Sequence, residues 1–485
     1  MKTYKLYIAG KFTHSPSGKT FPNINPATEQ PLAYFQSATA ADVELAVRAA
    51  EAAFPSWRDI PAPARGQILL ETAHLLKKNK EKLAKLETQE MGKVLKEARG
   101  DVQEAIDIFE YMAGEGRRML GHTTPSELKN KFACSIRIPL GVVGIITPWN
   151  FPIAIPAWKI SAALICGNTL VFKPSSDTPA CAYALVEILE KAGLPKGVIN
   201  LVTGPGNETG AAIISHPRIR GISFTGSIET GLWIQQNAGL KKIGLELGGK
   251  NPIIVMEDAN LDLAVDGILW GAFGTTGQRC TAASRIIVHK KVAPALTRKL
   301  LARIKKLRVG PGSNPGTDIG PLINKAAQEK SAKYTEIGKK EGAHLAIGGK
   351  IPLKKGFFFS PTLFTKVKPN MRIAQEEIFG PITCIIEISN LQEAIEVANS
   401  TRYGLSSSIY TQSIKSAFEA IQKIEAGITY INSSTIGAEV HLPFGGVKAT
   451  GHGREAGIEG INEFTEIKAV YIDYSNKLQK AQGID

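Results

Sequence analysis

The spacing of apolar and polar residues changes character several times along the chain. Residues 1–37 carry short alternating runs such as Tyr4-Lys-Leu-Tyr-Ile8, broken at Ser15-Pro-Ser-Gly18 and Asn23-Ile-Asn-Pro26, and predict small strands joined by turns. From Thr39 to Phe54 the period becomes helical, with Val43, Ala46, Val47 and Ala50 on one face and a capping pair in Thr39 and Asp42. Two more long helical patterns follow, near 64–88 and 93–112. After Met119 the pattern is extended again. Lys131-Phe-Ala-Cys-Ser-Ile-Arg-Ile138 alternates up to Pro139, and a strand this polar on one side needs a partner or an edge position.

From Gly141 onward apolar runs alternate with helical segments. The runs are 141–146, 169–172, 198–202, 219–224 and 243–247, and the helices between them fall near 152–165, 178–192, 208–215 and 227–238. Strands that are apolar on both faces and separated by helices predict a parallel, doubly wound sheet, which binds ligands at the carboxyl ends of its strands. A second α/β pass runs from about 252 to 450, with strands at 252–256 and near 286–289, 381–388, 405–410 and 427–431. The tail Glu466-Ile-Lys-Ala-Val-Tyr-Ile-Asp473 matches 131–138 in character, and the two are expected to pair across subunits.

Composition narrows the class without choosing a function. A chain of 485 residues, 43% hydrophobic and 21% charged, describes a globular protein of two or three domains. The start, Met1-Lys-Thr-Tyr-Lys-Leu-Tyr, lacks the apolar core of a signal peptide, and no run is long enough to span a membrane, so a cytoplasmic location and no membrane partner are expected. Five scattered cysteines without a C-x-x-C pair, and eight scattered histidines, argue against disulfides and a metal site. The net charge of +14 is spread over helices and loops instead of forming a patch, which argues against nucleic acid and leaves room for an anionic ligand.

Candidate chemistry sits at the strand ends. Thr203-Gly-Pro-Gly-Asn-Glu-Thr-Gly210 follows a strand and opens a helix, as a dinucleotide phosphate site does, though its spacing is G-x-G-x-x-x-G and a plain tight turn would look the same. Phe224-Thr-Gly-Ser227 and Phe172-Lys-Pro-Ser-Ser176 occupy two neighbouring junctions, and three in series favour cofactor binding over any one alone. Asn150, in Thr147-Pro-Trp-Asn150-Phe-Pro152, is either a turn residue or a stiff oxyanion donor. Glu246 is a carboxylate inside an apolar strand, where burial would raise its pKa into the range of a general base unless Lys250 neutralises it. Cys280 follows a glycine-rich turn between Arg279 and Arg285. Alone it reads as a small buried hydrophobe, yet two nearby cations would favour a reactive thiolate.

Taken together, Pro148-Trp-Asn-Phe-Pro152, Leu245-Glu-Leu-Gly-Gly-Lys250, Gly277-Gln-Arg-Cys280, Glu376-Glu-Ile-Phe-Gly-Pro381 and Pro443-Phe-Gly-Gly446 resemble the motif set of the NAD(P)-dependent aldehyde dehydrogenase superfamily, in that family's order and over nearly the whole chain. The resemblance implies an α/β fold with a Rossmann-type cofactor domain (1–119 and 140–248), a catalytic domain (249–450) and small β oligomerisation elements (120–139 and 466–485) that build a homodimer or homotetramer. It implies Cys280 as nucleophile, Glu246 as base, Asn150 as oxyanion donor and Lys159 as a proton-relaying lysine. Cofactor contacts are implied for Ile146, Thr147, Trp149, Lys173, Ser176, Gly206, Phe224, Gly226, Ser227, Glu377 and Phe379, and a substrate tunnel for Phe151, Ile155, Trp158, Arg279, Thr281 and Phe444. Many NAD-preferring members carry glutamate where this chain has Ser176. The departure implies that NADP is accepted alongside NAD, or preferred.

Arg279 and the loop Gly437-Ala-Glu-Val-His-Leu-Pro443 look most like members that oxidise semialdehydes with a terminal carboxylate, notably 2-oxoglutarate semialdehyde (2,5-dioxopentanoate). Succinate semialdehyde or uncharged aliphatic and aromatic aldehydes are the alternatives. A coenzyme-A-acylating or phosphorylating relative would use the same cysteine, but the coenzyme-A type typically lacks the base glutamate. A cysteine hydrolase is disfavoured because no histidine stands in a motif near Cys280 or Glu246. A non-catalytic dinucleotide-binding or structural relative would be expected to have lost the nucleophile or the base, and this chain keeps both.

Overall fold

A computed structural model describes residues 1–482. Four helices carry the N-terminal section: α1 (Ala40–Asp59), α2 (Ala62–Lys78), α3 (Lys80–Met91) and α4 (Leu95–Glu115). The Asp42 carboxylate accepts from the Thr39 N–H at 2.8 Å and its hydroxyl at 2.9 Å, which fixes the start of α1. The helical pattern at 64–88 is two helices. Asn79 leaves helical geometry (φ −101°, ψ 8°) and its side-chain amide donates to the Leu75 carbonyl at 2.8 Å, competing with the backbone ladder as short amide side chains do.

The first large sheet has eight strands in the order 451–452, 242–246, 221–225, 142–146, 169–173, 199–201, 6–8, 11–13. Its five central strands run parallel, and Val142–Ile146 and Thr169–Lys173 are buried at every position, as a sheet covered on both faces requires. Helices α5 (Ala154–Ile165), α6 (Pro179–Lys191), α7 (Ala211–Ser215) and α8 (Ile228–Asn237) connect these strands. The register sets Ile146 beside both Lys173 and Phe224, so the junction residues collect along one edge. Gly451-His452 closes the far side, pairing antiparallel with Glu246 and Leu245.

The second sheet has seven strands, in the order 344–347, 362–365, 382–388, 283–289, 251–255, 406–410, 428–431. Helix α9 (Leu261–Phe273) packs on it and ends at the loop that carries Cys280. The polar strands Lys131–Pro139 and Thr465–Asp473 pair antiparallel over nine residues, from Thr465 opposite Pro139 to Asp473 opposite Lys131. The expectation that they meet across subunits is therefore corrected: they pair within one chain, where each supplies the edge the other needs. Of the stretch 466–485, residues 483–485 lie outside the described part.

Candidate active site

Cys280 follows a strained turn. Residues Gly274–Gly277 form a short 3-10 helix in which Thr275 and Thr276 are left-handed, at φ 51° and 58°. This conformation is costly for a β-branched residue and persists only where its surroundings hold it. Glu97 on α4 supplies the hold, both carboxylate oxygens accepting from the Thr275 N–H at 3.0 Å. The Asn251 amide donates to the Cys280 carbonyl at 2.7 Å, and the Asn150 amide donates to the Gln278 carbonyl at 3.1 Å. Asn150 thus lies two residues from the sulfur in the loop's own hydrogen-bond pattern, within a wall it shares with Cys280.

Two cavities meet at Cys280. One, of ≈ 130 Å³, is lined by Phe151, Ile155, Trp158, Glu246, Arg279, Thr281 and Phe444, by Gly437 and Ala438 of the loop read above for substrate, and also by Glu104, Ile436 and Glu455, which the motifs had not suggested. The other, of ≈ 250 Å³, is lined by Trp149, Asn150, Gly226, Ser227, Glu377 and Phe379. All six tunnel positions therefore gather on one side of the sulfur. A larger hollow of ≈ 550 Å³ beneath the Lys131–Pro139 strand shares no lining residue with either.

The neighbours of Cys280 do not favour its thiolate. Burial pushes the thiol up, and Glu246 and Glu377 add to the rise. Arg285 cannot counter this, because its guanidinium is fully buried and bound by the carbonyls of Lys250, Val397 and Ala398 at 2.8–3.0 Å. Sequence adjacency to two arginines misled here; in space the carboxylates and desolvation dominate. Arg279 does face the small cavity. Its Nε donates to Thr275 Oγ at 2.9 Å, and its guanidinium lies 5.0 Å from the Phe151 ring and 4.8 Å from that of Trp270.

Burial, and next the charge of Glu455, push the Glu246 carboxyl well above the usual carboxylate range, with Lys159 opposing. Lys250 is not its partner, since the Lys250 ammonium is buried without a hydrogen bond among the described residues. Burial pushes Lys250 down to about 8. Gly445 makes the approach to Glu246 possible: at φ 150° it takes a backbone shape open to glycine, and a Cβ there would sit 2.6 Å from Glu246 Oε1. Lys159 reaches the Glu455 carboxylate and donates to Ser223 Oγ at 2.9 Å.

The remaining junction residues mark the strand ends beyond the larger cavity. The Thr147 N–H donates to the Lys173 carbonyl at 3.1 Å, the Lys173 ammonium donates to the Pro174 carbonyl at 3.0 Å, and Ser176 Oγ donates to the Gly204 carbonyl at 2.9 Å. Gly206 opens a short π-turn, Gly206–Gly210, that runs into α7. A dinucleotide fits this edge. Helix α8 opens at Ser227 toward the cavity and offers positive dipole to a phosphate, while Trp149 and Phe379 (edge-to-face, 5.4 Å) and Glu377 (accepting from the Gly249 N–H at 2.9 Å) make an apolar wall with one polar handle.

A dinucleotide-type sheet whose ligand edge abuts a cysteine-bearing loop of a second α/β sheet defines a class of oxidoreductase architecture. Within that class the chain belongs to the aldehyde dehydrogenase family, which it matches over residues 12–470, and it is an enzyme of NAD(P)-dependent aldehyde oxidation. It is 42% identical over 478 residues to an alpha-ketoglutaric semialdehyde dehydrogenase of Bacillus subtilis, covering 97% of this chain and 98% of that one. It is 41% identical to retinaldehyde dehydrogenase 3 of Mus musculus, covering 98% and 94%. The NAD+ complex of an aldehyde dehydrogenase from Bacillus cereus superposes with a TM-score of 0.96 at 38% identity, covering 98% and 97%. Two relatives of nearly equal identity carry chemically unlike substrates in their names, so the aldehyde must be argued from the site.

Among the described residues, no helix is long and apolar enough to cross a membrane. Sequence reasoning missed Glu97, Glu104 and Glu455. The first two lie with Asp101 at i, i+4 and i+7 on α4, a spacing that aligns three carboxylates on one helix face and could have drawn notice.

Proposed function

We propose that the enzyme oxidises aldehydes bearing a terminal carboxylate, of the 2-oxoglutarate semialdehyde type, through a thioester on Cys280. The observation that carries this is Arg279, whose planar guanidinium is held over Phe151 and Trp270 in the wall of the cavity that ends at Cys280. A guanidinium fixed this way suits bidentate capture of a carboxylate at the far end of a short substrate. Glu104 shares the cavity. Burial, followed by the charge of Asp101, pushes its carboxyl up to about 8, so at neutral pH it adds no negative charge beside Arg279, whose other carboxylate neighbour, Glu97, stands off at 4.0 Å.

The reaction follows from the residues. The Cys280 sulfur adds to the aldehyde carbon as its thiol proton passes to water, and the resulting oxyanion is held by the Asn150 amide and the Cys280 N–H. A nicotinamide cofactor, held by the strand-end residues above, would supply the hydride acceptor. Glu246, ionised, takes a proton from water, whose oxygen attacks the thioester carbon; the C–S bond breaks and its electron pair returns to sulfur. NAD and NADP are both proposed as cofactors. Ser176 places no negative charge at the ribose, and the neighbouring Asp177 is engaged with Asn324 at 3.3 Å and Ser175 at 3.5 Å.

Residues 1–119 with 140–248 are proposed as the cofactor unit and 249–450 as the catalytic unit. The paired strands of 120–139 and 466–485 form the assembly surface of a homodimer or homotetramer, supported by exposed Phe132, Ile136, Ile467, Tyr471 and Ile472. Light scattering would read the state. The test of substrate is kcat/KM over matched aldehydes with and without an ω-carboxylate, using both cofactors. The reading predicts the carboxylate series to lead by tenfold or more, since about 1.4 kcal/mol of differential binding is a factor of ten. Preference for uncharged aldehydes would sink it, and loss of all turnover in Cys280→Ala is required.

A further inference from the structure

The polar chain behind Glu246 continues past Lys159. Glu246 Oε2 is buried without a hydrogen-bond partner among the described residues, and Glu455 lines the same cavity. Lys159, itself 1% exposed, joins the Glu455 carboxylate to Ser223, and Ser223 Oγ donates in turn to Glu463 Oε1 at 2.7 Å. Ser223 stands mid-strand, fully buried between Ile145 and Gly244 of the flanking strands. Glu463 ends the short helix Glu459–Glu463 and is half-exposed. The flanking strand makes room for this carboxylate: a Cβ at Gly244 would lie 1.9 Å from Glu463 Oε1. A hydroxyl and a carboxyl therefore continue the chain through an otherwise apolar sheet and bring it to solvent.

We propose that Ser223 and Glu463 are the outer half of a proton wire that drains Glu246 during thioester hydrolysis. The inference rests on the reading of Cys280 and Glu246 above. The proton that Glu246 takes from water passes to the Glu455 carboxylate. Lys159 gives a proton to Ser223 Oγ as Ser223 gives its own to Glu463, and Glu455 reprotonates Lys159. Glu463 releases the proton to water, so each group regains its starting state and no redox change is involved.

Burial pushes the Glu463 carboxyl up to about 7, the charge of Glu455 adding and those of Lys159 and Lys242 opposing, which suits exchange near neutral pH. Lys242 is itself fixed on the Asn462 and Thr465 carbonyls at 2.8 and 2.6 Å, beside the exit.

The test uses the whole enzyme in single turnover, with the reduced-cofactor burst and the release of acid followed separately. Glu463→Gln keeps an acceptor for Ser223 but cannot carry a proton; Ser223→Ala breaks the wire, and Ser223→Thr restores its hydroxyl. Both breaking variants are expected to keep the burst rate while acid release slows about tenfold, below the 10²–10⁴ typical of losing a general base outright. Ser223→Thr should recover the rate, as should a small buffer such as imidazole added to either breaking variant. Acid release at the parental rate in both variants, or a loss that neither Thr nor buffer restores, would overturn the wire. A parent enzyme with no burst would refute the thioester reading instead, and the wire with it.

Discussion

The Arg279 guanidinium rests 5.0 Å from the centre of the Phe151 ring, and its Nε is tied to Thr275 on the strained turn that precedes Cys280. One residue is thereby coupled both to the turn and to the cavity wall. Arg279→Gln should lower kcat/KM for ω-carboxylate aldehydes by about 10²-fold, the loss of a charged hydrogen bond worth about 1.5–3 kcal/mol, while uncharged aldehydes of equal length change little. Initial rates across the two series check it. An equal loss in both would mean that Arg279 serves the turn alone.

Glu104 adds a pH dependence to the same pocket. Below about 8 its carboxyl is neutral; above, it ionises and would repel a carboxylate held at Arg279, as the proposed substrate reading requires. KM for carboxylate aldehydes should therefore rise as pH climbs through 8, with uncharged aldehydes unaffected. Glu104→Gln should flatten that rise. The sign is diagnostic, because a buried salt bridge between Glu104 and Arg279 would instead make the Gln variant bind the anion better at every pH.

Support for the site reaches back to a fully buried lysine. The Lys93 ammonium lies 2.6 Å from Glu87, 2.9 Å from Asp101 and 3.8 Å from the centre of the Phe151 ring. Asp101 also accepts from the Ala154 N–H at 2.7 Å, so the cluster ties α3 and α4 to the start of α5. Lys93→Met would strand two carboxylates in an apolar interior and should cost about 3–5 kcal/mol. Denaturant unfolding would read this as a lower midpoint with an unchanged slope.

The proposed general base gives a cleaner kinetic separation. In the mechanism proposed above, Glu246→Gln keeps the shape of the site but removes the group that takes the proton of water. Acylation, and with it the reduced-cofactor burst, should survive, whereas steady turnover should fall by about 10²–10⁴-fold. Because the Glu246 carboxyl is held well above its usual range, the parent enzyme's acid release should rise with pH along a limb that lies above the ordinary carboxylate range, and the variant should lose that limb.

Much of this site was legible in the chain because the residues that build it stand at strand ends, where apolar runs stop and glycines begin. The strands ending at Ile146, Lys173 and Phe224 were expected in a parallel sheet, and the register sets those three ends side by side. The arrangement that periodicity cannot carry is lateral. Alternation at 131–138 and 466–473 fixes which residues share a face but not which strand is the neighbour, hence the intrachain pairing. The same limit hid Glu104 and Glu97, whose carboxylates look like a solvated helix face until α4 is laid against the Cys280 turn. Arg285, by contrast, was legible as a structural residue of the strand that follows Cys280, and its guanidinium is bound by the Val397 and Ala398 carbonyls.

On the proposed cofactor reading, the choice between NAD and NADP turns on Ser176, whose hydroxyl is held by the Gly204 carbonyl at 2.9 Å, beside the loop that opens at Gly206. A neutral group there neither rewards the ribose hydroxyls of NAD with an anionic acceptor nor repels the 2′-phosphate of NADP. Ser176→Glu supplies both effects at once. It should lower kcat/KM for NADP by tenfold or more, about 1.4 kcal/mol of added repulsion, and leave NAD unchanged or improved. Measurements at low and high salt separate the causes, since repulsion between partly exposed charges weakens as ionic strength rises, whereas a steric block does not. A loss for NADP that persists unchanged in high salt, or that falls equally on NAD, would place the ribose elsewhere than at Ser176.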